Sequence, residues 1–304
     1  MNRFWITGLV PATFTPMHED GSLNLAQVQT IVDHLATQQV TALFVCGSTG
    51  ESAALTTAER QATLEAFVTA ATGRIPVIAH VGHTSLAAAR LLAAHAQQVG
   101  AAAIAALPPF YVKPASVDVL VACMAEIAAA APELPFYYYH IPGLTGVNLD
   151  MVEFLRQGAE RIPTLAGIKY SSPTLYEFQA CLDAAGGRFN LLFGVDEMLL
   201  SGLATGAHGA VGSTYNFAAP LYHAIMQAFA AGELAEAQRL QRLSAQMVRT
   251  VVGRYRGAAA LKAMMAFAGL DCGPTRLPQV ALTPAEIEAL HGDLATLGFL
   301  EWLG

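Results

Sequence analysis

Lysine is the scarcest charged residue of this chain, with three in 304 residues: Lys113, Lys169 and Lys262. Charge of either sign is thin, at 13% of residues, and the net charge is −7 at neutral pH. The arginines are scattered and form no basic stripe, which argues against nucleic acid or an anionic membrane as a partner. No stretch approaches the roughly 18 uninterrupted apolar residues of a membrane span. The start, Met1-Asn2-Arg3-Phe4-Trp5-Ile6, meets Pro11 too soon for the apolar core of a secretory leader, so a cytoplasmic protein is expected. The four cysteines, Cys46, Cys123, Cys181 and Cys272, lie far apart in unpaired spacings and are expected to be reduced core residues. The only close histidine pair, His80 and His83, falls on a predicted strand, where the two rings would point to opposite faces. With no acidic or thiol ligand beside them, no metal centre is expected.

What the chain does have is apolar mass: 54% of its residues are hydrophobic, enough for a large core and for apolar subunit contacts. Short apolar runs at 6–10, 42–46, 77–81, 103–107, 136–140, 165–169, 191–194 and 209–212 predict eight strands. Between them, 3.6-residue periodicity predicts helices over 24–39, 57–72, 85–99, 116–130, 149–160, 175–185 and 197–205. Asn24, Thr57, Ser85, Ser116 and Thr174 are the predicted N-caps. Strands that are apolar throughout, rather than alternating, suit a parallel sheet covered on its outer side. Eight strand–helix units predict a (β/α)8 TIM barrel over 1–232. Residues 233–304 then form a C-terminal helical extension of the same domain. The first strand–helix turn carries no glycine-rich dinucleotide fingerprint, which weakens an open doubly wound sheet.

Lys169 sits where a lysine is least expected, at the end of Leu165-Ala166-Gly167-Ile168. An ammonium at a buried strand end is costly unless it is paired or loses its proton. Desolvation lowers a lysine pKa, and a neutral amine can attack a ketone to give a Schiff base. The competing reading is a side chain that snorkels to the surface. Lys113, in a proline-flanked loop, and Lys262, on an apolar helix, carry no such signal.

In a barrel the active site lies at the C-terminal ends of the strands. Strand two runs into Gly47-Ser48-Thr49-Gly50-Glu51, two hydroxyls between glycines with free backbone N–H groups suited to a carboxylate. Strand five ends in Tyr137-Tyr138-Tyr139-His140, and alternation sends Tyr137 and Tyr139 to one face and Tyr138 to the other. Strand seven runs into Gly194-Val195-Asp196-Glu197 and strand eight into Ser213-Thr214. The competing reading of the acidic pair is an ordinary helix start. Each motif is weak alone; together they set polar groups at one end of five strands, around Lys169.

The motifs Gly47–Glu51, Tyr139-His140-Ile141-Pro142, Gly167-Ile168-Lys169 and Gly209–Asn216 resemble the class I pyruvate-dependent aldolase family of dihydrodipicolinate synthase and N-acetylneuraminate lyase. Phe136–Pro142, Phe193–Glu197 and Gly273–Pro278 are most similar to its sialic-acid-cleaving branch. The resemblance implies reversible cleavage of N-acetylneuraminate to pyruvate and N-acetylmannosamine, with no cofactor. It implies that Lys169 forms the Schiff base, Tyr139 shuttles a proton, and Ser48 and Thr49 hold the carboxylate, Ser48 also bonding the tyrosine. It assigns the polyhydroxyl tail to Ser171, Gly194, Asp196, Glu197 and Ser213, and it implies a homotetramer in which Tyr111 reaches a neighbouring site. The synthase branch carries an arginine after the proline of strand five, whereas Gly143-Leu144-Thr145-Gly146 follows Pro142 here. Two further readings stay open: an aldolase for another 2-keto-3-deoxy sugar acid, and a non-catalytic keto-acid sensor on the same scaffold.

Overall fold

A computed structural model describes residues 4–304. Met1–Arg3, the start of the segment read as lacking a leader, lie outside the described residues. Eight parallel strands follow one another around a barrel: β1 (Gly8–Pro11), β2 (Leu43–Val45), β3 (Val77–His80), β4 (Ala103–Ala106), β5 (Phe136–His140), β6 (Leu165–Tyr170), β7 (Asn190–Phe193) and β8 (Gly209–Gly212). The hydrogen-bonded order runs β1-β8-β7-β6-β5-β4-β3-β2. The seam between β1 and β2 is drawn together by a parallel bridge from Ala12 to Phe44 and by Thr41 N–H donating to Leu9 O at 2.9 Å. The predicted (β/α)8 barrel is the observed one.

Two apolar layers explain why the strand sequences are apolar without alternation. Inside, Val10, Phe44, Ile78, Tyr137, Leu192 and Val211 meet one another. Outside, Leu9, Val45, Ile104, Tyr138, Ile168 and Phe193 pack under the helices. Tyr137 and Tyr139 do face inward and Tyr138 outward. At the N-terminal end, Asn190 plugs the barrel. Its Oδ1 accepts from Ile6 N–H at 3.0 Å and from the Tyr137 hydroxyl at 2.8 Å, and its Nδ2 donates to Ile6 O at 3.0 Å. A Cβ on Gly167 would overlap the Asn190 carbonyl, so β6 and β7 meet only because that residue is glycine.

The strand ends shift from the predicted bounds for local reasons. β1 begins at Gly8, two residues late, because Asn190 takes the backbone bonds of Ile6. β2 stops at Val45 because Cys46 turns left-handed, at φ 59°. β6 continues to Tyr170, which pairs with both His140 and Phe193. Ser85 and Ser116 cap their helices as predicted. Thr56, not Thr57, caps the second helix in a reciprocal box with Glu59, while Asn24 and Thr174 make no side-chain cap. All four cysteines are free, but Cys123 is only half-buried. Burial pushes the Cys46 thiol up to about 11 and those of Cys181 and Cys272 to about 12.

Past the barrel, helices Leu234–Arg254, Ala258–Phe267 and Pro284–Thr296 return over it, and Gly304 N–H donates to Phe217 O at 2.9 Å. Among the described residues, no helix is long and apolar enough to cross a membrane.

Candidate active site

Lys169 and Tyr139 are register partners on β6 and β5, so their side chains rise together at the barrel mouth. The Lys169 Nζ stands 4.0 Å from the centroid of the Phe44 ring and 4.0 Å from that of Tyr139. The residue is 4% exposed, which excludes the snorkelling alternative. Among the described residues no carboxylate oxygen stands within 4.0 Å of its nitrogen, although its charge is felt by Asp196. Tyr139 is walled edge-on by Phe44, at 5.5 Å between ring centroids, and by His80, at 5.7 Å. His80 is itself fixed: its Nδ1 donates to Cys46 O at 2.8 Å, and burial holds its pKa well below the usual imidazole range. The histidine read as an unlikely metal ligand is thus a neutral wall behind the tyrosine.

The turn after β2 brings its hydroxyls to the same place. The Ser48 hydroxyl lies 3.4 Å from the Tyr139 hydroxyl, and Thr49 Oγ1 lies 2.6 Å from Ser213 Oγ, across the mouth. Thr15 holds the turn from below, donating to Gly50 O at 2.7 Å. These groups line a cavity of about 310 Å3 that Ser171, Gly194 and Asp196 close on the far side. A Cβ on Gly194 would overlap the Ser171 hydroxyl, so this glycine makes room for it.

Asp196 reaches the cavity, but its carboxylate is partly used. Oδ2 accepts from Thr214 N–H at 2.9 Å and from Thr214 Oγ1 at 2.6 Å. Burial raises its pKa, with the two Thr214 bonds and the Lys169 charge opposing. Glu197 is half-buried beside it with its pKa also raised by burial, and it stands outside the cavity wall. Tyr111 is 87% exposed on the loop after β4 and does not enter the cavity.

Three things were not visible from local sequence. Leu144 stands at the cavity edge, in the stretch after Pro142. Ala258 and Leu261, with Gln279, bring the C-terminal extension into the cavity wall. And Lys262, which carried no signal on its helix, is 2% exposed and ion-paired with Glu51 at 2.8 Å. Only the apolar neighbours Ala260, Leu261 and Met264 hinted at its burial.

Comparison with known proteins agrees with this geometry over nearly the whole chain. The model of the dihydrodipicolinate synthetase family matches residues 5–297. This chain belongs to that family. Within the family, it is 40% identical over 301 residues to N-acetylneuraminate lyase of Pongo abelii, covering 98% of this chain and 94% of the relative. The structure of Proteus mirabilis N-acetylneuraminate lyase superposes with a TM-score of 0.95 at 38% identity, covering 97% of this chain and all of that one. A Ruminococcus gnavus sialic acid aldolase, studied as a catalytic lysine mutant, superposes with a TM-score of 0.91 at 28% identity, covering 97% of this chain and 96% of that one.

Proposed function

We propose that this chain reversibly cleaves N-acetylneuraminate to pyruvate and N-acetylmannosamine through a Schiff base on Lys169. The observation that carries the reading is the buried Lys169 nitrogen beside Tyr139 and the Ser48–Thr49 turn. The amine adds to the C2 ketone of the open-chain keto acid, and loss of water gives an iminium. Ser48 and Thr49 hold the C1 carboxylate, so that C2 faces the nitrogen. Removal of the C4 hydroxyl proton, relayed by Tyr139 with Ser48 beside it, releases the C3–C4 bonding electrons into the iminium. The aldehyde product leaves; the enamine takes a proton at C3, and water hydrolyses the restored iminium to pyruvate and free amine. Side chains carry each step. Ser171, Gly194, Asp196 and Ser213, which line the cavity, hold the polyhydroxyl tail, and Glu197 stands next in the chain outside its wall.

The relatives' sialic acid chemistry supports this substrate over a shorter keto-deoxy acid. No arginine lines the cavity, which counts against a second carboxylate and hence against synthase chemistry. We take residues 1–232 and 233–304 as one catalytic domain, because both line that cavity. We further propose a cytoplasmic homotetramer, as the family resemblance implies; the exposed apolar Tyr111, Val112, Leu144 and Leu277 support a subunit contact. A sedimentation mass of one chain would refute that assembly.

Borohydride with pyruvate should attach one reduced pyruvyl group per chain, mapped to Lys169, and the enzyme should release pyruvate fastest from N-acetylneuraminate among sialic and keto-deoxy acids. Label on Lys113 or Lys262 would overturn the mechanism. A preference for a shorter keto-deoxy acid would overturn the substrate.

A further inference from the structure

Glu51 ends the turn that presents Ser48 and Thr49, and it does so in an unusual state. Its backbone is left-handed, at φ 56°, where a residue with a long side chain is uncommon unless its surroundings over-determine it. Its N–H donates to Ser48 O at 3.1 Å, closing the turn, and Ser52 N–H donates to Gly47 O at 3.2 Å. The Glu51 side chain is 2% exposed and that of Lys262 1%.

Both carboxylate oxygens are spoken for by the C-terminal extension. Oε1 accepts from Lys262 Nζ at 2.8 Å, and Oε2 from the backbone N–H of Arg276 at 2.8 Å. Lys262 Nζ also donates to Pro274 O at 2.7 Å, so it ties the turn to the segment carrying Arg276 and Gln279. That segment is braced again where the Arg276 guanidinium meets Glu59 and donates to Ala54 O at 3.1 Å.

From this arrangement we infer that Lys262 is a positioning residue for the carboxylate grip, acting through Glu51 on the Ser48–Thr49 turn. The inference rests on the Schiff-base reading above. Lys262 contacts neither the cavity nor the reacting atoms; it holds the left-handed corner from which the turn's hydroxyls and N–H groups are aimed. Without the ammonium, the Glu51 carboxylate has to move toward water, and a corner that rotates takes Ser48 with it. The chemical groups Lys169 and Tyr139, on β6 and β5, stay in place. The defect is therefore mainly one of capture, and turnover changes only through the long 3.4 Å contact between Ser48 and Tyr139.

The test compares the wild-type enzyme with Lys262→Met and Glu51→Gln. It reads the pyruvate concentration that gives half-maximal borohydride capture at Lys169, and the split between KM and kcat for N-acetylneuraminate. Half-saturating pyruvate and KM should rise about tenfold, the worth of one charge-assisted hydrogen bond lost to the carboxylate, while kcat stays within about threefold. A folded Lys262→Met enzyme with wild-type half-saturation overturns the inference and leaves the ion pair a fold element only. If that variant does not fold, Glu51→Gln carries the same reading, since it removes the charge while keeping an acceptor oxygen. A wild-type enzyme that captures no pyruvate overturns the Schiff-base reading itself, a result distinct from either.

Discussion

Lys169 and Lys262 are buried to nearly the same extent, at 4% and 2% exposure, and they show two ways of placing a lysine inside a protein. Lys262 is matched: a carboxylate and a carbonyl accept its hydrogen bonds, and although burial lowers its pKa, the Glu51 charge opposes that shift. Lys169 has no ion pair in contact: aromatic faces stand against its nitrogen, and Asp196 feels its charge without touching it. A matched buried charge holds structure together, and its loss leaves the partner stranded. A nitrogen without such a contact, at the mouth of a cavity, is free to form a bond to carbon. The difference lies in the neighbours, since depth and residue type are the same.

Exchanging each lysine for methionine is the strongest way to break this comparison. Lys169→Met should abolish turnover and pyruvate capture while costing little stability, since no ion pair is lost. Lys262→Met should instead lower unfolding stability in urea by about 3–5 kcal/mol, the cost of stranding a buried carboxylate, while kcat at saturating substrate survives. Stability losses of equal size in the two variants would erase the distinction.

Tyr139→Phe sharpens it at the next level. If the tyrosine moves the proton and the lysine holds the carbon, kcat should fall by roughly 10²–10⁴-fold. Capture of pyruvate at Lys169 should slow without vanishing. A kcat near that of the wild type would transfer the relay to another group.

The smallest expected effect concerns Asp196, which stands between the two cases: buried, paired on one oxygen with Thr214, and open on the other. Asp196→Asn should lower kcat/KM for N-acetylneuraminate about tenfold to a hundredfold, with pyruvate capture retained. Its pH dependence has a definite sign. Burial raises the carboxyl's pKa in the folded state, so the wild type binds the extra proton when folded, and its contribution to stability is greatest below about 4. That contribution is lost as pH rises through the folded value. The difference in unfolding free energy between Asp196→Asn and the wild type should therefore shift in favour of the variant from acid to neutral pH. A constant difference would mean that the carboxyl titrates as it does in water.

The barrel and the buried lysine at the end of β6 were readable from sequence because the signals are local. Eight apolar runs, a tyrosine triplet that alternates faces, and a cation ending a strand each declare themselves within a few residues. The Lys262–Glu51 pair spans 211 positions, and an apolar helix with one lysine looks the same whether that lysine faces water or a carboxylate. Asp196 and Glu197 were indistinguishable as neighbours in the chain; the turn after β7 sends one to the cavity and leaves the other behind its wall. Tyr111 is exposed and outside the cavity lining, and one chain's sequence does not state whether such a side chain meets a neighbour.

The clamp on Glu51 also has a consequence in time. A ribosome delivers this protein from its amino end, so all eight strands are made before Lys262 exists. Until the last helices arrive, the Glu51 carboxylate lacks both its Lys262 and its Arg276 partner. The amine of Lys169 is present early, but the turn that would hand it a keto acid matures only when the end of the chain folds back. On that proposal the grip on a keto acid is completed last, when the segment carrying Lys262 and Arg276 docks against Glu51.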